Sequence, residues 1–201
     1  MEVRPMTETT KDVEHTDSRD GSTVSEAGAP MGWASAAGVV ALPPAVVGEP
    51  GDALDRLMIA DRIARYGWAF DEGDREALAD CLTSDVVFQS VYAGQFRGGK
   101  ELPSIQGVSA VVDQLTTVWP YFPRQPRHIY TNVVVGDLAE DKAIAYAYMP
   151  SIIADDAAPV LAHLEFLRFG FRRTSDGLWR ISNLLYGMDV DALLLPPGLE
   201  L

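Results

Sequence analysis

A phenol, a carboxylate and an imidazole can move protons without a metal or a cofactor, and this chain carries all three in an ordered arrangement. Tyr66 and Asp71 sit in Ile63-Ala-Arg-Tyr66-Gly-Trp-Ala-Phe70-Asp71-Glu-Gly-Asp74, which reads as the end of an amphipathic helix. His128 follows much later, in a run that reads as a strand. Histidine exchanges protons near neutral pH. A carboxylate bonded to one ring nitrogen would fix the tautomer and stabilise the imidazolium. The other nitrogen could then remove a proton beside a substrate carbonyl, while a tyrosine hydroxyl bonds the oxygen on which charge develops. Each residue also has a plain structural duty: Tyr66 as core, Asp71 as helix end, His128 as a strand residue. Tyr66 and Asp71 are five positions apart, about 140° around an ideal helix. They address one pocket only if it is wide or Asp71 lies on a frayed last turn.

Strand alternation supplies further candidates. It places His128, Tyr130, Asn132 and Val134 on one face, and Ile129, Thr131, Val133 and Val135 on the other. Three hydrogen-bonding side chains on one strand face suit the wall of a concave pocket better than a core. The run 161–173 puts His163 and Glu165 beside Leu167, Phe169 and Phe171, which fits a lined cavity or a solvated strand end. Asn183 shares a face with Trp179 and Ile181 on the last strand. Trp68, Phe70, Tyr130, Asn132, His163, Glu165, Phe169 and Asn183 are the expected substrate-binding residues.

The elements that must position these groups follow from hydrophobic periodicity. Leu54, Leu57, Ile59, Ile63, Tyr66 and Phe70 recur at helical spacing, predicting a helix over 53–70. Asp74 is a suitable N-cap for a short helix over 75–82 that includes Cys81. Strands are expected at 86–91 and 95–97. Ser109 could cap a third helix running to about Val118, which Pro120 and Pro123 end. The period then becomes two: 127–135, 142–153, 161–173 and 178–186 read as strands, with a hairpin signal at Ser175-Asp176-Gly177. Helices first and consecutive strands after them predict an α+β fold with an antiparallel sheet.

Residues 1–30 are rich in Thr, Ser, Glu, Asp and Gly, and are expected to be a disordered acidic tail. Residues 31–50 are apolar but broken by Gly, Ala and Pro43-Pro44. They are either a linker or an arm across the body or a partner subunit, and the domain itself occupies 51–201. The formal charge is −13, which disfavours nucleic acid and anionic membrane as partners. Cys81 is the single cysteine, so no intramolecular disulfide forms. No basic and apolar leader opens the chain and no apolar run spans a bilayer, so a cytoplasmic location is expected. Gly94-Gln-Phe-Arg-Gly98-Gly99-Lys100 has P-loop spacing, but Glu101 replaces the magnesium-binding hydroxyl and Pro103 follows where a helix should begin. His15, His128 and His163 lack metal-ligand spacing, and no nucleophile elbow occurs. Neither metal nor cofactor is expected.

The order of these elements resembles the SnoaL-like branch of the NTF2-like superfamily over roughly residues 54–187. The likeness rests on Tyr66-Gly-Trp-Ala-Phe-Asp71, on Arg127-His-Ile-Tyr and on Asp176-Gly177-Leu-Trp179. It is similar in particular to scytalone dehydratase, the bile-acid dehydratases and the SnoaL-type polyketide cyclases. The resemblance implies a cone formed by a curved sheet and three helices around a hydrophobic cavity. It also implies a homodimer joined through sheet faces, with catalytic roles for Tyr66, Asp71 and His128. The implied activity is cofactor-independent acid–base chemistry, of dehydratase, isomerase or cyclase type, on a hydrophobic polycyclic or polyketide-like molecule. The chain departs from scytalone dehydratase where Tyr146-Ala-Tyr148-Met-Pro-Ser-Ile lacks its second histidine. It departs from the bile-acid enzymes where Tyr186-Gly-Met-Asp189 lacks their late arginine. The alternatives are a cyclase that mainly shapes its substrate, and a noncatalytic ligand-binding or oxygenase small-subunit-like protein.

Overall fold

The computed structural model describes residues 32–36, 38–45, 48–49, 51–92, 103–122, 124–154 and 158–189. The expected tail at 1–30, the strand at 95–97 and the P-loop-like run lie outside them. Four α-helices are described: α1 (Trp33–Ala36), α2 (Asp52–Asp71), α3 (Arg75–Asp80) and α4 (Val108–Thr116). The strands are β1 (Leu82–Tyr92), β2 (Ile105–Gln106), β3 (Pro126–His128), β4 (Thr131–Gly136), β5 (Lys142–Ala154), β6 (Pro159–Arg173) and β7 (Trp179–Met188). Among the described residues they form one curved sheet, ordered β2-β1-β7-β6-β5-β3, with β4 also on β5. Every pairing is antiparallel except β1 with β7, which is parallel. The expected curved antiparallel sheet is present, and β1 beside β7 adds one parallel pair to it: α4 and the strands after it separate β1 from β7, so β1 returns as a neighbour with no hairpin.

Helix α2 ends at a glycine. Gly73 takes φ +70°, its N–H donates to Phe70 O at 3.2 Å, and Asp74 N–H donates to Ala69 O at 2.9 Å. These bonds satisfy carbonyls that a helix end leaves open. Asp74 then accepts from Ala77 N–H at 2.9 Å and starts α3 at once. That helix stops at Asp80; Cys81 is its buried C-cap and Leu82 already belongs to β1. Ser109 is not a cap, since α4 starts from Gly107 with no side-chain bond.

The inner sheet face carries Leu167, Phe169, Phe171, Ile181 and Leu184, and packs against Ile59, Ile63, Tyr66 and Phe70 of α2. Leu78 of α3 and Val111, Val112 and Leu115 of α4 close the same core. Burying each such side chain contributes roughly 1.5–3 kcal/mol. Leu54 and Leu57 do not join it; they are exposed at the start of α2. At the narrow end, Trp179 Nε1 donates to Asp55 Oδ1 at 3.0 Å, and Arg173 lies 4.6 Å over the Trp179 ring.

Segments of 33–43 lie along the outer sheet face. Trp33 packs 5.6 Å from Phe166 and its Nε1 donates to Asp189 Oδ1 at 2.6 Å. Tyr146 hydroxyl donates to Ala41 O at 3.1 Å. Phe166 lies flush with the sheet because Gly187 stands beneath it, where a Cβ would come within 1.9 Å of the ring.

Candidate functional site

Asp71 is the last residue of α2, and β3 runs past that helix end. Gln125 Nε2 donates to Asp71 O at 3.1 Å and to Glu72 Oε1 at 2.8 Å, and Arg127 bonds the same Glu72 carboxylate at 3.2 Å. This lacing brings His128 onto Asp71. One carboxylate oxygen accepts the His128 backbone N–H at 2.9 Å, and the other bonds the imidazole Nδ1. Both side chains are less than a tenth exposed. A carboxylate only accepts, so in a neutral ring this contact places the proton on Nδ1 and leaves Nε2 as the acceptor. Phe70 meets the imidazole edge to face at 4.9 Å, and Trp119 meets Phe70 at 5.8 Å.

Tyr66 is fully buried and its hydroxyl bonds that of Tyr186 at 2.7 Å. Its ring stands edge-on to Tyr130 and Phe169, at 6.1 and 6.2 Å. Tyr130 reaches this depth because Gly67 lies under it; a Cβ there would sit 2.5 Å from the ring. Burial pushes the hydroxyls of Tyr66, Tyr130 and Tyr186 well above the ordinary phenol value, so all three stay protonated. They are hydrogen-bond donors rather than bases. No direct bond joins Tyr66 to Asp71 or His128 among the described residues.

The inner face adds a polar row. His128 pairs with Ser151, and Ser151 with His163, so three polar side chains cross β3, β5 and β6 on one level. One level along, Glu165 stands between Met149 and Met188. Glu165 is buried, and burial raises its carboxyl to about 7. Burial first, and then the nearby His128, lowers the His163 imidazole. Ser151 Oγ and Glu165 Oε2 are buried with no hydrogen-bond partner.

Other expected lining residues lie elsewhere. Trp68 is 64% exposed on the outer side of α2, under Arg127. Asn132 is exposed with φ +53°. That left-handed residue and the bulge between Thr131 and Val134 break the alternation, so Val133 and Val135 turn toward α2. Val135 packs on the core instead of facing out. Asn183 is turned away by a second bulge, between Gly170 and Phe171, after which Leu184 points inward. Tyr186 and Ser151 were missed: Tyr186 ended a predicted strand, and the register that sets Ser151 opposite His128 has no signal in the sequence.

Among the described residues no cluster of three His, Cys, Asp or Glu side chains could hold a metal ion, and no helix is long and apolar enough to cross a membrane. Solved structures place the class: a cone of α+β architecture, the NTF2-like fold. An NTF2-like protein with a cystatin-like fold from Novosphingobium aromaticivorans superposes with a TM-score of 0.58 at 22% identity, covering 74% of this chain and 91% of its own. A second protein of that organism, proposed to be an aromatic ring hydroxylase, gives 0.54 at 25% identity, covering 72% of this chain and 92% of its own. A proposed dehydratase of the NTF2-like family from Streptomyces avermitilis gives 0.54 at 16%, covering 69% of this chain and 99% of its own. No curated protein sequence matches this chain. The SnoaL-like domain matches residues 51–184, and the chain belongs to that family.

Proposed function

We propose that the protein is a cofactor-independent acid–base enzyme, of dehydratase, isomerase or cyclase type, acting on a hydrophobic, polycyclic or polyketide-like small molecule. The observation that carries this reading is the double hold of Asp71 on His128, through the ring and the backbone N–H, beside the aromatic rings of Phe70 and Trp119. Family membership and the apolar interior support it. His128 Nε2 removes a proton from the carbon beside a substrate carbonyl, and Asp71 stabilises the resulting imidazolium. The hydroxyls of Tyr66, Tyr186 and Tyr130 interact in a row with Tyr186 in the middle, and three O–H groups across two contacts leave one donor for the substrate oxygen. Exposed Tyr148 and Leu164 on the outer sheet face suit a homodimer joined through that face.

His128→Ala and Asp71→Asn should each lower turnover of a bicyclic β-hydroxy ketone by about 10²–10⁴-fold, with unchanged circular dichroism. Full activity in both variants rules the mechanism out. A second reading, an oxygenase-subunit-like or ligand-binding role, draws support from the likeness to the proposed ring hydroxylase. Turnover by the isolated chain excludes it.

A further inference from the structure

We propose that Glu165 is the acid partner of His128: a neutral carboxylic acid that protonates the hydroxyl leaving a β-hydroxy carbonyl substrate. The inference rests on the reading of His128 as base and extends it to the substrate class.

Four observations carry it. Register fixes Glu165 on the inner face, two residues beyond His163, which is linked through Ser151 to His128. Two strand spacings and two residues along the strand separate the backbones of His128 and Glu165 by roughly 12 Å. Glu165 is only 7% exposed, and Oε2 bonds nothing. Among the described residues no Lys, Arg or His forms an ion pair with Glu165. The titratable groups that sense its charge are the phenols of Tyr66 on α2, Tyr92 on β1, Tyr130 between β3 and β4, and Tyr186 on β7. An unpaired carboxylate in that setting is costly, so the acid form is favoured, in keeping with its raised value of about 7.

A neutral carboxyl with no partner in the protein has an O–H to give. Ser151 Oγ, one level away on the same inner face, is likewise buried and unbonded. Two buried polar groups without protein partners on one sheet face call for an oxygen-bearing ligand. The step balances without a further reagent. His128 Nε2 takes the α-proton, and that C–H electron pair becomes the new C=C bond. The C–O bond breaks, its electron pair leaves on oxygen, and Glu165 supplies the proton that makes the departing group water. Imidazolium and carboxylate remain, and exchange with solvent restores both.

The test uses the full chain in two parts. Infrared difference spectra of wild type against Glu165→Gln should contain a protonated-carboxyl band that disappears as pH rises through about 7. A band already absent near pH 5, about the ordinary carboxyl range, overturns the inference and leaves the His128 reading intact. For turnover, a bicyclic β-hydroxy ketone is compared with its β-(para-nitrophenoxy) counterpart, whose departing phenolate needs no proton. Glu165→Gln should slow the hydroxy ketone by about 100-fold and the nitrophenoxy ketone by less than about threefold. Equal losses on the two, or no loss, overturn it. His128→Ala should slow both; full activity there overturns the underlying proposed function instead. Wild type that turns over neither ketone overturns the substrate class assigned here.

Discussion

Replacing Glu165 with Gln keeps the shape of the side chain and removes its ionisation, which makes its cost to the fold measurable. In the folded protein the carboxyl loses its proton at about 7, against an ordinary value of 4.5, and burial is the cause. Below the ordinary value both folded and unfolded chains hold the proton, and the site makes no pH-dependent contribution. Between the two values the unfolded chain releases its proton while the folded chain keeps it, so stability falls as pH rises. Above the folded value the loss is complete. The gap corresponds to about 3 kcal/mol. Subtracting the stability of Glu165→Gln from that of wild type at each pH cancels titrations elsewhere in the chain. The difference should therefore decline by about 3 kcal/mol between roughly pH 4.5 and pH 8. With a urea dependence of about 2 kcal/mol per molar, the relative midpoints move by about 1.5 M. The assay is urea unfolding followed by circular dichroism at closely spaced pH values. A difference that stays flat to within about 0.5 kcal/mol would mean that Glu165 ionises freely in the folded state, and the argument from its burial would fail.

Tyr66→Phe keeps the ring against Tyr130 and Phe169 but removes the hydroxyl that bonds Tyr186. Turnover should fall by about tenfold or more for a stability cost of about 1–2 kcal/mol; unchanged turnover assigns Tyr66 to packing alone. Trp33→Ala removes the ring that covers Phe166 and the bond to Asp189. It should lower unfolding stability by about 3 kcal/mol and speed proteolytic cleavage near residue 40. An unchanged urea midpoint would show that this arm does not stay on the sheet in solution.

Much of the fold was legible because its signals are local. Helical spacing located α2, Asp74 marked the restart into α3, and period-two runs located β5, β6 and β7. On β6 the alternation held across His163, Glu165, Leu167 and Phe169, so one face carries all four. It failed at Asn132 and Asn183, where bulges insert a residue and exchange the faces beyond them. Leu54 and Leu57 fit the helical stripe but stay exposed, because periodicity names a face and not what packs on it.

Tyr66, Asp71 and His128 as chemical types, and the order of the elements that carry them, were determined by the sequence alone. Their arrangement was decided only by the tertiary structure. The chain must close a helix end onto a strand far along the sequence before Asp71 can hold His128 by both ring and backbone. Register across β3, β5 and β6 then sets Ser151 and His163 in line with that pair. Folding also dries the pocket floor, and the protonation of Glu165 depends on that loss of water, which no residue pattern records.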